Sequence, residues 1–189
     1  MNKLLTMTTA AGLLMAIAVL AADPSEKTVF VTSASYNGNL GGLAGADAKC
    51  QAEAEGPASV VPSGTYMAWL SDGTDSPDTR FTKSSHPYIL PNGKKIAEDY
   101  IDLTDGSILH SINLDPTGQP VGYQEFWTGT NPDGTAGRDD DIFGCGGWAV
   151  DPVSDTWAIV GHSSKKSSVW SHGNEIPCRR TLKLACFQQ

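Results

Sequence analysis

Three groups of side chains in this sequence have types and spacings that chemistry could use. The first is acidic. Between Trp127 and Cys145 stand Asn131, Asp133, Asp139, Asp140 and Asp141. Hard oxygen donors gathered in one loop are what Ca2+ takes as ligands, so Asn131, Asp133, Asp139 and Asp141 are candidate calcium ligands. The same stretch holds Asn131-Pro132-Asp133-Gly134, which also makes an ordinary turn, and the Asp72–Asp78 loop has the same double reading. The second group is basic: Lys165, Lys166, Arg179 and Arg180 form a candidate patch for an anionic ligand such as a sulfated glycan. The third is Cys50, Cys145, Cys178 and Cys186. An even count with no C-x-x-C pair favours disulfides over zinc. Counting alone leaves all three pairings open.

Catalysis finds little to work with. The histidines are His86, His110, His162 and His172. A nucleophile needs a base within hydrogen-bond reach. His162 precedes Ser163-Ser164 and His172 follows Ser171, but neighbours on a strand point to opposite faces. There is no G-x-S-x-G elbow, H-E-x-x-H, phosphate loop or dinucleotide fingerprint. The histidines read as loop or surface residues and the chain as a non-enzyme. No cofactor is implied apart from Ca2+.

The elements that must position these groups can be read from periodicity. Thr28–Thr32 is β-branched and aromatic, a strand. Leu43–Ala54 is the main helix: Leu43, Ala46, Cys50 and Ala54 share one face. That face points Cys50 inward, toward a partner far along the chain. Glu55-Gly56-Pro57 stops the helix. Thr65–Leu70, Glu125–Thr130, Thr156–Val160 and Ser168–Trp170 read as short strands. Tyr88–Leu90 and Lys95–Ala97 flank Asn92-Gly93, a hairpin signal. Asp102–Gly106 and Asp115–Gly118 read as turns. In the closing Thr181–Phe187 strand, Leu182, Leu184 and Cys186 fall on one face. Trp69, Trp127 and Trp157 sit within apolar strands, where burial is the default. Trp148 and Trp170 are left open, and an exposed tryptophan would mark a ligand surface.

The bulk properties agree with one exported domain. At 189 residues the chain suits a single core. Twenty glycines and eleven prolines favour turns and short strands over long helices. Met1-Asn2-Lys3, the apolar Ala10–Ala22 and the small residues Ala21 and Ala22 read as a signal peptide over 1–22, cut after Ala21 or Ala22. The domain then occupies 23–189. No cysteine lies at the cut to take a lipid anchor, and no later segment is apolar enough to span a membrane. The formal charge is −8, yet beyond residue 160 the balance is about +4. An acidic body argues against nucleic-acid binding.

A set of longer motifs runs through nearly the whole mature chain. They are Val29–Ser33 (VFVTS), Tyr36–Gln51 (YNGNLGGLAGADAKCQ), Tyr66–Asp72 (YMAWLSD), Arg80–Lys83, Asp102–Gly106, Phe126–Asn131 (FWTGTN), Cys145-Gly-Gly-Trp148, Cys178 and Leu184–Gln188. In these the chain resembles the bacterial leptospiral endostatin-like family, a domain of unknown function. The resemblance implies an α+β, C-type-lectin-like (endostatin-like) fold with short antiparallel strands, one main N-terminal helix, long loops and two disulfides. It also implies the pairing, Cys50–Cys186 and Cys145–Cys178. The implied function is a secreted or surface-associated, adhesin-like module that recognises extracellular proteins or glycans. A calcium-dependent lectin and a structural cell-envelope protein without a small ligand are the alternatives. No calcium-lectin triplet such as Glu-Pro-Asn or Trp-Asn-Asp is present. The basic residues of vertebrate endostatin do not align here.

Overall fold

The computed structural model describes residues 25–137, 144–149 and 156–189. The signal-peptide segment lies outside these residues, as do Asp139, Asp140 and Asp141. The described part is α+β. Its strands are β1 (Lys27–Val31), β2 (Tyr66–Ala68), β3 (Tyr88–Ile89), β4 (Lys95–Ala97), β5 (Glu125–Trp127), β6 (Trp157–His162), β7 (Glu175–Pro177) and β8 (Lys183–Gln188). The helices are α1 (Gly42–Ala54) and the single turns α2 (Pro77–Arg80) and α3 (Tyr100–Leu103). Ser168–Trp170, which reads as a strand in the sequence, is a 3-10 turn. It is closed by Trp170 N–H donating to Ser167 O at 2.8 Å.

The strands form one sheet ordered β4-β3-β1-β8-β5-β6-β7. The last strand, β8, is its axis. One edge of β8 pairs antiparallel with β1 (Phe30 opposite Cys186). The other edge pairs with β2 near its end (Ala68 opposite Cys186) and with β5 near its start (Trp127 opposite Leu184). The sheet is mixed rather than purely antiparallel, because β1–β3 and β5–β8 run parallel. Parallel neighbours need a long crossover, and both pairs have one: α1 and β2 lie between β1 and β3 in sequence, and β6 and β7 lie between β5 and β8.

Alternation along the strands sorts the core into two layers. Val29, Val31, Ala185 and Phe187 join Trp69, Phe81, Tyr88 and Trp170 on one face. Phe30, Leu184 and Cys186 join Ala46, Cys50, Trp127 and Trp148 on the other. Helix α1 covers the second face with the stripe its sequence shows: Ala46 and Cys50 are buried, and Leu43 and Ala54 pack against the cluster. It also completes the outer edge of β2. The Tyr66 N–H donates to Gln51 Oε1 (2.9 Å) and the Ala68 N–H to Asp47 Oδ1 (2.9 Å). These helix residues, four apart, lie on one face and stand in for a missing strand. Arg80 pairs with Asp47 behind them.

Two disulfides lie within the second face, Cys50–Cys186 joining α1 to β8 with Cα atoms 5.5 Å apart and Cys145–Cys178 at 5.6 Å. The second starts from an unusual turn. Gly144, Cys145, Gly146, Gly147 and Trp148 all have positive φ, and the Trp148 N–H donates to Gly144 O at 3.1 Å. This is one turn of left-handed helix, which costs a residue with a Cβ about 1–2 kcal/mol; the paired glycines keep that cost to Cys145 and Trp148. Trp148 is held there by Nε1 donating to Ser71 O at 2.7 Å.

Candidate functional site

Of the sequence-derived calcium ligands, Asn131 and Asp133 lie among the described residues. Both are engaged in their own turn. The Asn131 Nδ2 donates to Thr135 Oγ1 (3.1 Å) and Ala136 O (3.0 Å), and its Oδ1 lies 2.9 Å from His172 Nδ1. Asp133 Oδ1 accepts from the Thr135 hydroxyl (2.6 Å) and N–H (3.0 Å). These bonds, the hydroxyl's first, hold the Asp133 carboxyl below its usual range. Among the described residues no three carboxylate, imidazole or thiolate groups converge on one point.

The basic residues divide. Lys165 and Lys166 follow the C-terminal end of β6, where Lys166 O accepts from the Ile108 N–H. Arg179 and Arg180 follow β7, whose Pro177 pairs with Trp157 at the opposite end of β6. The length of β6, about 17 Å, separates the two pairs.

Among the histidines, His86 Nδ1 lies 3.4 Å from the exposed Ser85 hydroxyl beside it in sequence. His86 and His110 are exposed and His172 is half-buried. His162 departs from the loop reading: it ends β6 and is only 3 % exposed. The Tyr123 ring lies against it, and its Nε2 is 3.9 Å from Glu125 Oε1. The Ser163 hydroxyl instead bridges Gly122 O and the Gln124 N–H, and the Ser171 hydroxyl accepts from Trp69 Nε1 at 2.7 Å.

Two surface features remain. One is Trp157. Trp69, Trp127, Trp148 and Trp170 are fully buried, whereas Trp157 is 39 % exposed, contrary to the burial expected of a strand tryptophan. It is the first residue of β6, beside the edge strand β7. Its cross-strand partner is Pro177, and the Arg180 N–H folds back onto Pro177 O (2.9 Å). This turn holds the exposed Arg179 and Arg180 just past the tryptophan. Pro177 also deprives the sheet edge of an N–H donor, which discourages a further strand.

The other feature is a cleft of about 330 Å3 between the end of α1, the loop after β1 and the 115–118 turn. Val60 N–H donating to Pro116 O (2.8 Å) joins its two sides. Glu53, in the last turn of α1, accepts from the Ser33 N–H (3.0 Å) and the Ala34 N–H (2.9 Å). Tyr36 lines the cleft with the Lys49 ammonium 5.5 Å above its ring. Burial first, and then the charge and hydrogen-bonding of Glu53, raise the Tyr36 phenol above its ordinary value. The motifs quoted from the sequence include Ser33, Tyr36 and Lys49 but assign none of the cleft residues a role. The one hint was an aromatic set in a Ser/Asn/Gly loop, Ser35-Tyr36-Asn37-Gly38.

A family model described as protein of unknown function (DUF1554) matches residues 33–168. The chain belongs to this family. The DUF1554 match contains α1, every cleft residue and Trp157, and one cysteine of each disulfide; Cys178, Cys186 and the arginines lie beyond it. No curated protein sequence matches the chain.

Proposed function

We propose that this chain is an exported binding module that recognises an extracellular protein or glycan in the manner of an adhesin. The single observation that carries the reading is Trp157, a tryptophan 39 % exposed at a sheet edge with Arg179 and Arg180 on the adjoining turn. Tryptophan and arginine are the side chains that dominate the energetics of protein interfaces. Two disulfides belong to an oxidising compartment, which supports export. The C-type-lectin-like, endostatin-like fold is part of this proposal. It is supported by the bridge from α1 to β8 and by the pairing of the first strand with the last.

The test is a binding array of matrix proteins and glycans, probed with the mature, oxidised protein in Ca2+ and in EDTA. Trp157→Ala should weaken binding at least about tenfold, the loss of roughly 1.4 kcal/mol at a hot spot, with little change in thermal stability. Binding that Trp157→Ala leaves intact would refute the assignment of the surface. Binding lost in EDTA would favour a calcium lectin using the 131–144 segment, and silence with self-association a structural envelope protein. Export has its own check: the mature product should begin at Ala22 or Asp23.

A further inference from the structure

We infer that the cleft beside α1 is a second binding site, separate from the Trp157 surface, and that it takes a neutral saccharide. The cleft has the volume of a small-ligand site, enough for about one or two sugar rings. Its chemistry is selective in three ways.

It is rich in hydrogen-bond acceptors. The Thr117 hydroxyl donates to Asp115 Oδ1 (2.7 Å) and the Ser33 hydroxyl to Asp115 Oδ2 (3.3 Å). Their hydrogens are committed, so each offers lone pairs to the cleft. Glu53 is acceptor-only and is fixed by two backbone N–H groups. A matching ligand must supply many hydrogen-bond donors.

It is balanced in charge. Glu53 and Asp115 stand against Lys183, whose ammonium is turned inward onto Thr32 O (2.9 Å) and Ser33 O (2.7 Å), and against Lys49 above Tyr36. Burial depresses the Lys183 pKa, and the charges of Glu53 and Asp115 oppose that depression. Of these four groups only Glu53 lines the cleft, so a cation meets one carboxylate whose charge Lys183 already offsets, and an anion meets no ammonium in the lining. A polyol, with many donors and no charge, fits both conditions.

It has an aromatic wall. The Tyr36 ring, with Pro57 also lining the cleft, offers an apolar surface for the C–H face of a sugar while the hydroxyls reach the fixed acceptors. Aromatic side chains with a few placed polar groups are the usual furniture of such sites.

The experiment is a titration of the isotope-labelled, oxidised protein with a panel of neutral di- and trisaccharides of glucose, galactose, mannose and N-acetylglucosamine, followed by amide chemical shifts. At about 10 mM a ligand with Kd near 1 mM is nearly saturating. At least one saccharide should shift Ser33, Tyr36, Glu53 and Thr117, unchanged by EDTA, by added salt or by Trp157→Ala. Tyr36→Ala should weaken binding at least tenfold. Ala58→Trp, which fills the cleft from an exposed position, should abolish it while leaving the fold intact should Tyr36→Ala prove unstable. No cleft shift with any saccharide would overturn the inference, as would a lysine- or arginine-rich peptide occupying the cleft instead. Because the Trp157 variant is an arm of the test, failure here is distinguishable from failure of the first surface.

Discussion

The Cys50–Cys186 bridge should contribute more to stability than Cys145–Cys178, and the difference can be worked from the chain. The closed loops span 136 and 33 residues. Loop-closure entropy then gives about 5 kcal/mol for the outer bridge and about 3.7 kcal/mol for the inner one. All four cysteines are fully buried, so replacing each pair by alanine loses similar packing and leaves the loop term as the main difference. At about 2–4 °C per kcal/mol for a domain of this size, Cys50→Ala/Cys186→Ala should melt roughly 3–5 °C below Cys145→Ala/Cys178→Ala. Circular dichroism melts and urea unfolding of both double variants measure this. An inner bridge that costs as much as the outer one, or more, would refute the loop-entropy account. The variants should also separate by function. Glu53, which lines the cleft, lies one helical turn past Cys50, so the outer bridge fixes the helical wall of the cleft against β8. The inner one adjoins Pro177 and Arg179. Loss of the outer bridge should therefore weaken saccharide binding, and loss of the inner one binding at Trp157.

Gly38→Ala should cost about 1–3 kcal/mol by overpacking, since its Cβ would stand 2.5 Å from Cys145 Sγ and 3.0 Å from Cys178 Cβ; urea unfolding should show that penalty shrinking once Cys145 and Cys178 are alanine. At acid pH, Asp115 should matter. Burial disfavours its charge but is outweighed by hydrogen bonds from Thr117, Gln119 and Ser33, so its folded pKa lies below the usual carboxylate value. Its contribution is then present above the unfolded pKa of about 3.9 and is lost as pH falls through the lower folded value. Melting temperature against pH should fall less steeply below about pH 4 for Asp115→Asn than for the parent, and parallel curves would remove Asp115 from the account.

Much of the fold was legible because its elements keep clean periods. The i, i+3, i+7, i+11 spacing of Leu43, Ala46, Cys50 and Ala54 located α1, and the alternation of Leu182, Leu184 and Cys186 located the buried side of β8. The misreadings have physical causes. Ser168-Val169-Trp170 has strand-forming residues, but local carbonyls capture its amides and wind it into a 3-10 turn. β7 is illegible in the sequence because three residues ending in Pro177 carry no strand signal. Burial is the expectation for Trp157 because it sits within an apolar strand; as the first residue of β6 it is the one exposed position of that strand. The cleft was illegible for a different reason. Its walls come from segments around residues 33, 53, 58 and 117, each polar and unremarkable alone, and only the β8-centred sheet brings them together.

The placement of the disulfides says what they are for. The core does not lack material: both faces of β8 are covered, and four tryptophans are fully buried. A sheet of short strands joined by long loops has a different weakness, because loops gain little from a core they do not enter. One bridge ends three residues from Glu53 and three from Lys183, and the other starts from the left-handed 144–148 turn and ends between Pro177 and Arg179. Each thus anchors the backbone next to one of the two proposed surfaces. If the two surfaces bind as proposed, reduction should cost binding as well as stability.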